Sequence, residues 1–410
     1  MVELCKKCVI RFTWRHNLIY PIQVLIWTFF RYVDIVLLEK IFNFSTTFLF
    51  TLLMFLGQFF TSLILYFYQK SFLEKKAHKK SKKVLLYSKN EMKNPDSTIK
   101  LLLLIFFVSY FDFIQFLLYT VYIPKFQNFS GSLELRLGGI LTILSAILCY
   151  YLLKFPIYRH QIFSIIIISI CLFITIITEI FFQLVNISQN FGTFWIKFLY
   201  IIFVHFFNTF FNITEKYILE YNYMHYFKVL ILESVFGLLI ILGYSFWDYS
   251  YITELIQIYS EYSGSKLALF ILLLVTYMIV CGGRNSFRII TNKLYSPMAI
   301  SLIDYFLNPI YFTYYYINGD FVSGEDQNIA YFLINFFLSI FISLCGCIYN
   351  EIFIVFLCGL ESETHDQISY RSNINSNNFY DINQINADEE DNTEDAYTSE
   401  LNTDKTSING

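Results

Sequence analysis

Residues 101–122, "LLLLIFFVSYFDFIQFLLYTVY", form a 22-residue run with a single charged side chain, Asp112. At about 1.5 Å per residue, a helix of that length crosses a hydrocarbon core of about 30 Å. A soluble fold has no need of so long and uninterrupted an apolar segment. The stretch therefore reads as a membrane span with a carboxylate inside it.

Similar windows recur on both sides. Upstream, spans are predicted near 18–38 and 46–68; downstream, near 132–153 and 161–182. A second set follows near 194–213, 225–245, 267–287, 296–317 and 329–358. The first span is interrupted by Arg31 and Asp34, and the alternative for it is an interfacial helix. The expected fold is an all-α polytopic membrane protein of ten transmembrane helices in two groups of five. Residues 1–17 would form a cytosolic N-terminus, 18–182 the first five-helix repeat, with a basic loop at 69–100, and 194–359 the second. From 360 to 410 the chain turns to Ser, Asn, Asp and Glu, too polar to order itself, and reads as a disordered cytosolic tail.

Composition agrees. The 410 residues are 56% apolar and 15% charged, against about 25% charged in soluble domains. The eight cysteines lie mostly within apolar runs and imply no disulfide framework. "CKKC" at 5–8 lacks the second half of a zinc site. The N-terminal residues lack a small-residue cleavage site, so no cleaved signal peptide is expected.

Lys and Arg give the orientation, because short cytosolic loops carry the excess. Lys6, Lys7, Arg11 and Arg15, the loop "EKKAHKKSKK", Lys154 and Arg159, and Arg284, Arg288 and Lys293 all fall on one side of a ten-span chain. Both termini then face the cytosol. The Asn-x-Ser/Thr acceptors at Asn43, Asn128 and Asn186 fall on the opposite side, and Asn212 on the cytosolic side.

A charge in mid-membrane costs about 2.5–3.5 kcal/mol on insertion scales, so it faces a partner or a cavity. Asp112, Arg136, Glu233 and Asp304 are the four such positions. On the ninth span Pro297, Ser301, Asp304 and Asn308 recur at spacings of four, three and four, along one face that Tyr311 and Tyr315 extend. Gly138, Thr142, Ser145 and Cys149 form a small-residue stripe suited to helix packing. Glu179 and Glu351 sit toward span ends, where the side chain reaches out of the hydrocarbon. His205 stands alone in the sixth span. The alternative to substrate contact is internal pairing, such as Arg136 with Asp112 or Glu233.

Two odd-numbered halves in one chain are inverted relative to each other, the plan of many secondary transporters. No phosphate loop, Gly-x-Ser-x-Gly elbow or paired histidines at metal spacing points to an enzyme, a cofactor or a metal.

Several segments stand out as motifs: "TLLMFLGQ" at 51–58, "FDF" around Asp112, "LRLGG" around Arg136, and "ITEKYI" with Glu215 and Lys216. "LESVFG" with Glu233, "TNKLYSPMAISLIDYF" ending near Asp304, and "CIYNE" at 347–351 complete the set. In this order they resemble the drug/metabolite transporter superfamily, specifically the F-type, EamA-like branch of the solute carrier 35 group of nucleotide-sugar-transporter-like proteins. The resemblance implies ten helices in inverted repeats around a central cavity, and alternating access.

The expected function is secondary-active transport or exchange of a small polar organic solute in an endomembrane (Golgi, ER or lysosome/vacuole). Arg136 would anchor an anionic group, and Asp304 or Glu233 would act as ion partner or gate, with Asp112, Ser301 and Asn308 beside them. Its partners would be the lipid bilayer, the solute, a coupling proton or counter-substrate and, as a homodimer, a second copy, but no nucleic acid. The competing reading is a non-transporting scaffold or receptor whose intramembrane charges pair internally.

Overall fold

A computed structural model describes residues 10–12, 18–42, 47–70, 98–118, 139–186, 191–222, 224–246, 250–295, 306–310 and 329–356, with isolated positions between and after them. Ten helices run through these residues. They are α1 (Ile19–Phe42), α2 (Thr47–Tyr68), α3 (Thr98–Leu117), α4 (Gly139–Leu152) and α5 (Arg159–Asn186). There follow α6 (Phe191–Tyr221), α7 (Tyr226–Ser245), α8 (Ser250–Glu261), α9 (Ser265–Leu294) and α10 (Ile329–Tyr349). Eight of these helices, all but α4 and α8, are long and apolar enough to cross a membrane; α4 is apolar but shorter. The protein is a helical, multi-pass membrane protein.

The first predicted span is a continuous helix of 24 residues. The predicted ninth span, 296–317, has only the turn 306–310 and a few single positions within the described residues; the basic loop 71–97 and almost all of the tail fall outside them.

Side-chain exposure separates the lipid face from the packed face. On α5, Ile166, Ile170, Phe173, Ile177 and Phe181 are exposed at helical spacing, whereas Ile168, Cys171, Leu172, Thr175 and Glu179 are buried. An exposed isoleucine stripe suits a lipid environment, where apolar side chains lose nothing by facing outward. The buried stripe packs with Ala146 of α4 and with Ile342, Cys345 and Tyr349 of α10. Thr142, Ser145 and Cys149 are buried, as the small-residue stripe on α4 predicts.

The main contacts join α9 to α1 and α2, α7 to α2 and α3, and α6 to α3 and α4. One end of this bundle gathers the ends of α2, α4, α6 and α9 and the starts of α1, α3 and α7. There the Tyr226 hydroxyl donates to Gln69 Oε1 (2.8 Å), the Tyr221 hydroxyl donates to the Leu153 carbonyl (2.7 Å), and Tyr20 lies 6.3 Å from Phe287 between ring centroids. At the opposite end, Phe42, Phe48, Phe270 and Ile241 form an apolar cluster that also takes in Ile258 of α8. The loop expected at 246–266 thus contains a helix, whose Leu255 and Ile258 pack inward while Ile252, Ile256 and Tyr259 remain exposed.

Three further boundaries differ from the sequence reading. Helix α6 continues to Tyr221 rather than 213, and α9 to Leu294 rather than 287, because the charges near their ends are buried against one another. Helix α10 stops at Tyr349, and residues 353–355, expected to continue the tenth span, form a strand. Strands β1 (Ile10–Phe12) and β2 (Phe353–Val355) pair antiparallel, Ile10 opposite Val355 and Phe12 opposite Phe353.

The chain divides into two compact units. The smaller comprises Met1–Thr13, Tyr158–His160 and Glu351–Gly410 and holds the β1–β2 pair. Within it His160 Nε2 lies 3.5 Å from Glu351 Oε1, so Glu351 meets a neighbour rather than reaching out to solvent. The larger, Trp14–Ile157 and Gln161–Asn350, holds the bundle. Glu179, expected to reach solvent at its span end, is instead buried and accepts a hydrogen bond from the Tyr331 hydroxyl of α10.

Helices α2 and α9 cross at Gly57 and Gly282. A Cβ on Gly57 would collide with the Met278 carbonyl, and one on Gly282 with the Gly57 carbonyl. Absence of a side chain at both positions brings the two backbones together, as small residues do in membrane bundles. Gly282→Leu should therefore abolish the monodisperse peak in fluorescence-detected size exclusion. Gly243→Leu should leave it intact, because nothing lies within 4 Å of the Gly243 position.

Candidate functional site

The polar residues of the bundle converge on α9. Its buried face runs Tyr277, Cys281, Asn285, Arg288 and Asn292 at spacings of four, four, three and four. Facing it on α6 are Asn212, Glu215 and Lys216. Six residues separate Glu215 from the end of α6, and six separate Arg288 from the end of α9. At about 1.5 Å per residue the pair lies about 9 Å beneath that end of the bundle.

Arg288 and Glu215 form a two-pronged ion pair. Nη1 donates to Oε2 and Nη2 to Oε1, both at 2.9 Å, with 4% and 0% of the side chains exposed. Parallel N–H···O bonds of this kind are the strongest side-chain hydrogen bonds a protein makes. Asn292 Nδ2 adds a donor to Glu215 Oε2 at 2.6 Å and also donates to the Asn212 carbonyl at 2.9 Å. Asn212 Oδ1 accepts from Arg288 at 3.3 Å, and the guanidinium carbon lies 4.4 Å from the centre of the Phe211 ring. Asn212 is buried and committed to this network, so its glycosylation motif is closed to modification.

Lys216 takes a different part. Its ammonium, 2% exposed, donates to the carbonyls of Asn292 (2.8 Å), Lys293 (2.9 Å) and Tyr295 (2.7 Å) and pairs with Glu220 at 2.6 Å. The last carbonyls of a helix have no partner within it. A lysine from α6 supplies it, against the negative end of the α9 dipole.

Glu233 on α7 is 2% exposed, and its Oε1 accepts no hydrogen bond among the described residues. It interacts electrostatically with Arg288, Glu215 and Asp112. Ser109 Oγ of α3 lies 3.0 Å from the Glu233 carbonyl, which ties α3 to α7 at this level. Asp112, one helical turn further on, is partly covered and feels Arg288, Arg284 and Arg31. Across the bundle, Gln58 Nε2 donates to the Leu230 carbonyl at 3.3 Å, Asn285 Nδ2 donates to Gln58 Oε1 at 2.8 Å, and Arg284 Nε donates to Thr28 Oγ1 at 3.1 Å. Gln58 follows Gly57 directly, so the close α2–α9 crossing is what lets it reach Asn285.

Of the residues singled out from sequence, Asp112 and Glu233 belong to this layer. Asn308 is buried in the helical turn 306–310. Arg136, Ser301 and Asp304 lie outside the described residues. Arg288, read from sequence as a loop charge that sets topology, is instead the central cation of the site. Its signal was present: the α9 pattern of buried positions continues without a break through Arg288 to Asn292. His205, also on α6, is buried, and neither ring nitrogen has a hydrogen-bond partner among the described residues.

Compared with known proteins, the chain matches no family model and no curated sequence.

Removing one member of a buried ion pair leaves the other uncompensated and costs about 3–5 kcal/mol. Arg288→Ala should accordingly lower the melting temperature in detergent more than the double change Glu215→Met with Arg288→Met, which removes both charges while keeping most of the volume. Lys216→Met, which keeps the alkyl stem but not the three carbonyl bonds, should give a smaller drop. It should also raise amide exchange in the last turn of α9, readable by hydrogen–deuterium exchange.

Proposed function

We propose that this protein is a secondary-active transporter or exchanger of a small polar organic solute, working by alternating access in an endomembrane with both termini in the cytosol. In this reading it is not an enzyme. Its fold, in the same reading, is that of the drug/metabolite transporter superfamily, to whose F-type solute carrier 35 proteins several of its segments bear a resemblance. The observation that carries the reading is the buried polar layer itself. Five helices drawn from both halves of the chain, α2, α3, α6, α7 and α9, place Gln58, Asp112, Glu215, Glu233 and Arg288 in one stratum. Apolar packing would hold the same helices at no desolvation cost. Ionisable groups kept at such depth mark substrate or ion pathways.

The packing pattern supports the repeat. Number the spans so that α9 is the eighth. The contact of span one with eight then has its counterpart in span six with three, and span two with eight in span seven with three, while two and seven form a pair that maps onto itself. A shift of five spans thus carries this set of contacts onto itself, as two inverted five-span repeats require. Arg136 and Asp304 are assigned to solute anchoring and ion coupling, with Ser301 and Asn308, spaced three and four residues from Asp304 in the sequence, beside the latter.

Purified protein in proteoliposomes, preloaded and then assayed for exchange of nucleotide sugars, nucleotides, amino acids and short peptides, should show uptake of one class. Folded protein that moves none of them would overturn the reading. The Glu215–Arg288 pair, sealed at 2.9 Å, favours a second reading, a scaffold whose charges only lock helices. Asp304→Asn separates the two. A transporter should lose about tenfold or more in rate, about 1.4 kcal/mol in barrier, at nearly unchanged folded yield. A scaffold should lose folded yield and have no rate to lose.

A further inference from the structure

Among the described residues around Glu233 the carboxylates outnumber the cations. The charged groups facing it are Glu215 from α6, Asp112 from α3 and Arg288 from α9, while α2 offers only the neutral Gln58. Both terminal nitrogens of Arg288 are engaged by Glu215. Asp112 has two further cations within electrostatic reach, Arg284 and Arg31, and is only partly covered. Glu233 has neither advantage. Its side chain is 2% exposed and its Oε1 has no donor among the described residues.

A second atom tells the same story. Asn292 has no exposed surface, and its Nδ2 is occupied by Glu215 and the Asn212 carbonyl, yet its Oδ1 also has no donor among the described residues. Two buried acceptors, Glu233 Oε1 and Asn292 Oδ1, thus lack a hydrogen-bond donor among the described residues. An ionised carboxylate with an unsatisfied oxygen in a low-dielectric interior is costly, and a proton on that oxygen removes the charge.

We infer that Glu233 is a proton-binding site, its side chain taking one proton from water to become a neutral carboxylic acid within the Glu215–Arg288–Asn292 layer. The step is a plain protonation: one O–H bond of a hydronium ion breaks and leaves water, one carboxyl O–H bond forms, and the group gains a donor. Loading and release of that proton changes the charge facing Arg288. The proton then competes with the guanidinium for the carboxylates, and Glu215 and Arg288 join α6 to α9. On the transporter reading, on which only this consequence rests, the proton is the coupling ion of the cycle.

The test reads the proton directly and needs no transport assay. Full-length protein carrying 13C-carboxyl glutamate, in lipid nanodiscs near neutral pH, is compared with unlabelled protein by infrared spectroscopy. The isotope difference should contain the carbonyl stretch of a protonated glutamic acid. Glu233→Gln should abolish that band, Glu233→Asp should also abolish it by removing the labelled carbon while keeping an acid, and the exposed Glu261→Gln should retain it. Absence of the band in the wild type, or its survival in either Glu233 variant, would overturn the proposal. The wild-type comparison decides even where a variant fails to fold. A band at Glu233 in a protein that exchanges no solute would sink the transporter reading and leave the proton site standing.

Discussion

A guanidinium does not give up its proton inside a protein, and Arg288 is buried almost completely within a bundle whose exposed side chains include many isoleucines, leucines and phenylalanines. Everything near it follows from that constraint. A carboxylate must face it, and Glu215 does so through two parallel hydrogen bonds. The remaining lone pairs of Glu215 must be satisfied, which draws in Asn292, and Asn212 closes the ring by accepting from the guanidinium. Because these residues belong to α6 and α9, the ion pair registers the two helices against each other more narrowly than apolar contacts alone would do.

The same pair explains why both helices continue past the points where hydropathy falls. Lys216 follows Glu215 and points to the end of α9, where three carbonyls lack partners in their own helix. Each charge thus meets a need created by the neighbouring element: Arg288 needs an anion, the α9 terminus needs donors, and α6 carries both in adjacent positions. Such residues depress a hydropathy average although they are as buried as leucine.

On the far side of α9 the constraint is steric rather than electrostatic. Gly57 and Gly282 let α2 and α9 touch backbone to backbone, and the adjoining Gln58 then links α9 to α7 through Asn285 and the Leu230 carbonyl. The polar layer is therefore continuous from α6 across α9 to α2 and α7, and Glu233 lies against it with its Oε1 lacking a donor among the described residues. Close packing and buried polarity are coupled here, since a wider α2–α9 crossing would leave Gln58 and Asn285 without each other.

The sequence by itself determined that this chain crosses a membrane many times, since eight long apolar helices need no tertiary partner to declare themselves. It also marked Asp112 and Glu233, because a carboxylate in a greasy run is conspicuous, and the "ITEKYI" segment drew attention to Glu215 and Lys216 without supplying partners for them. What it left open was which charges meet. Arg288 looked like a topology signal because hydropathy averages weigh a charge without knowing its counter-ion, and the counter-ion lies 73 residues away. Only the packing of α6 on α9 cancels that charge and lets both helices run on to Tyr221 and Leu294. The same holds for β1 and β2, two three-residue strands from opposite ends of the chain, each too short to be recognised before the other is found beside it. Local composition reports how a segment meets its solvent, whereas pairing between distant segments is a property of the folded chain alone.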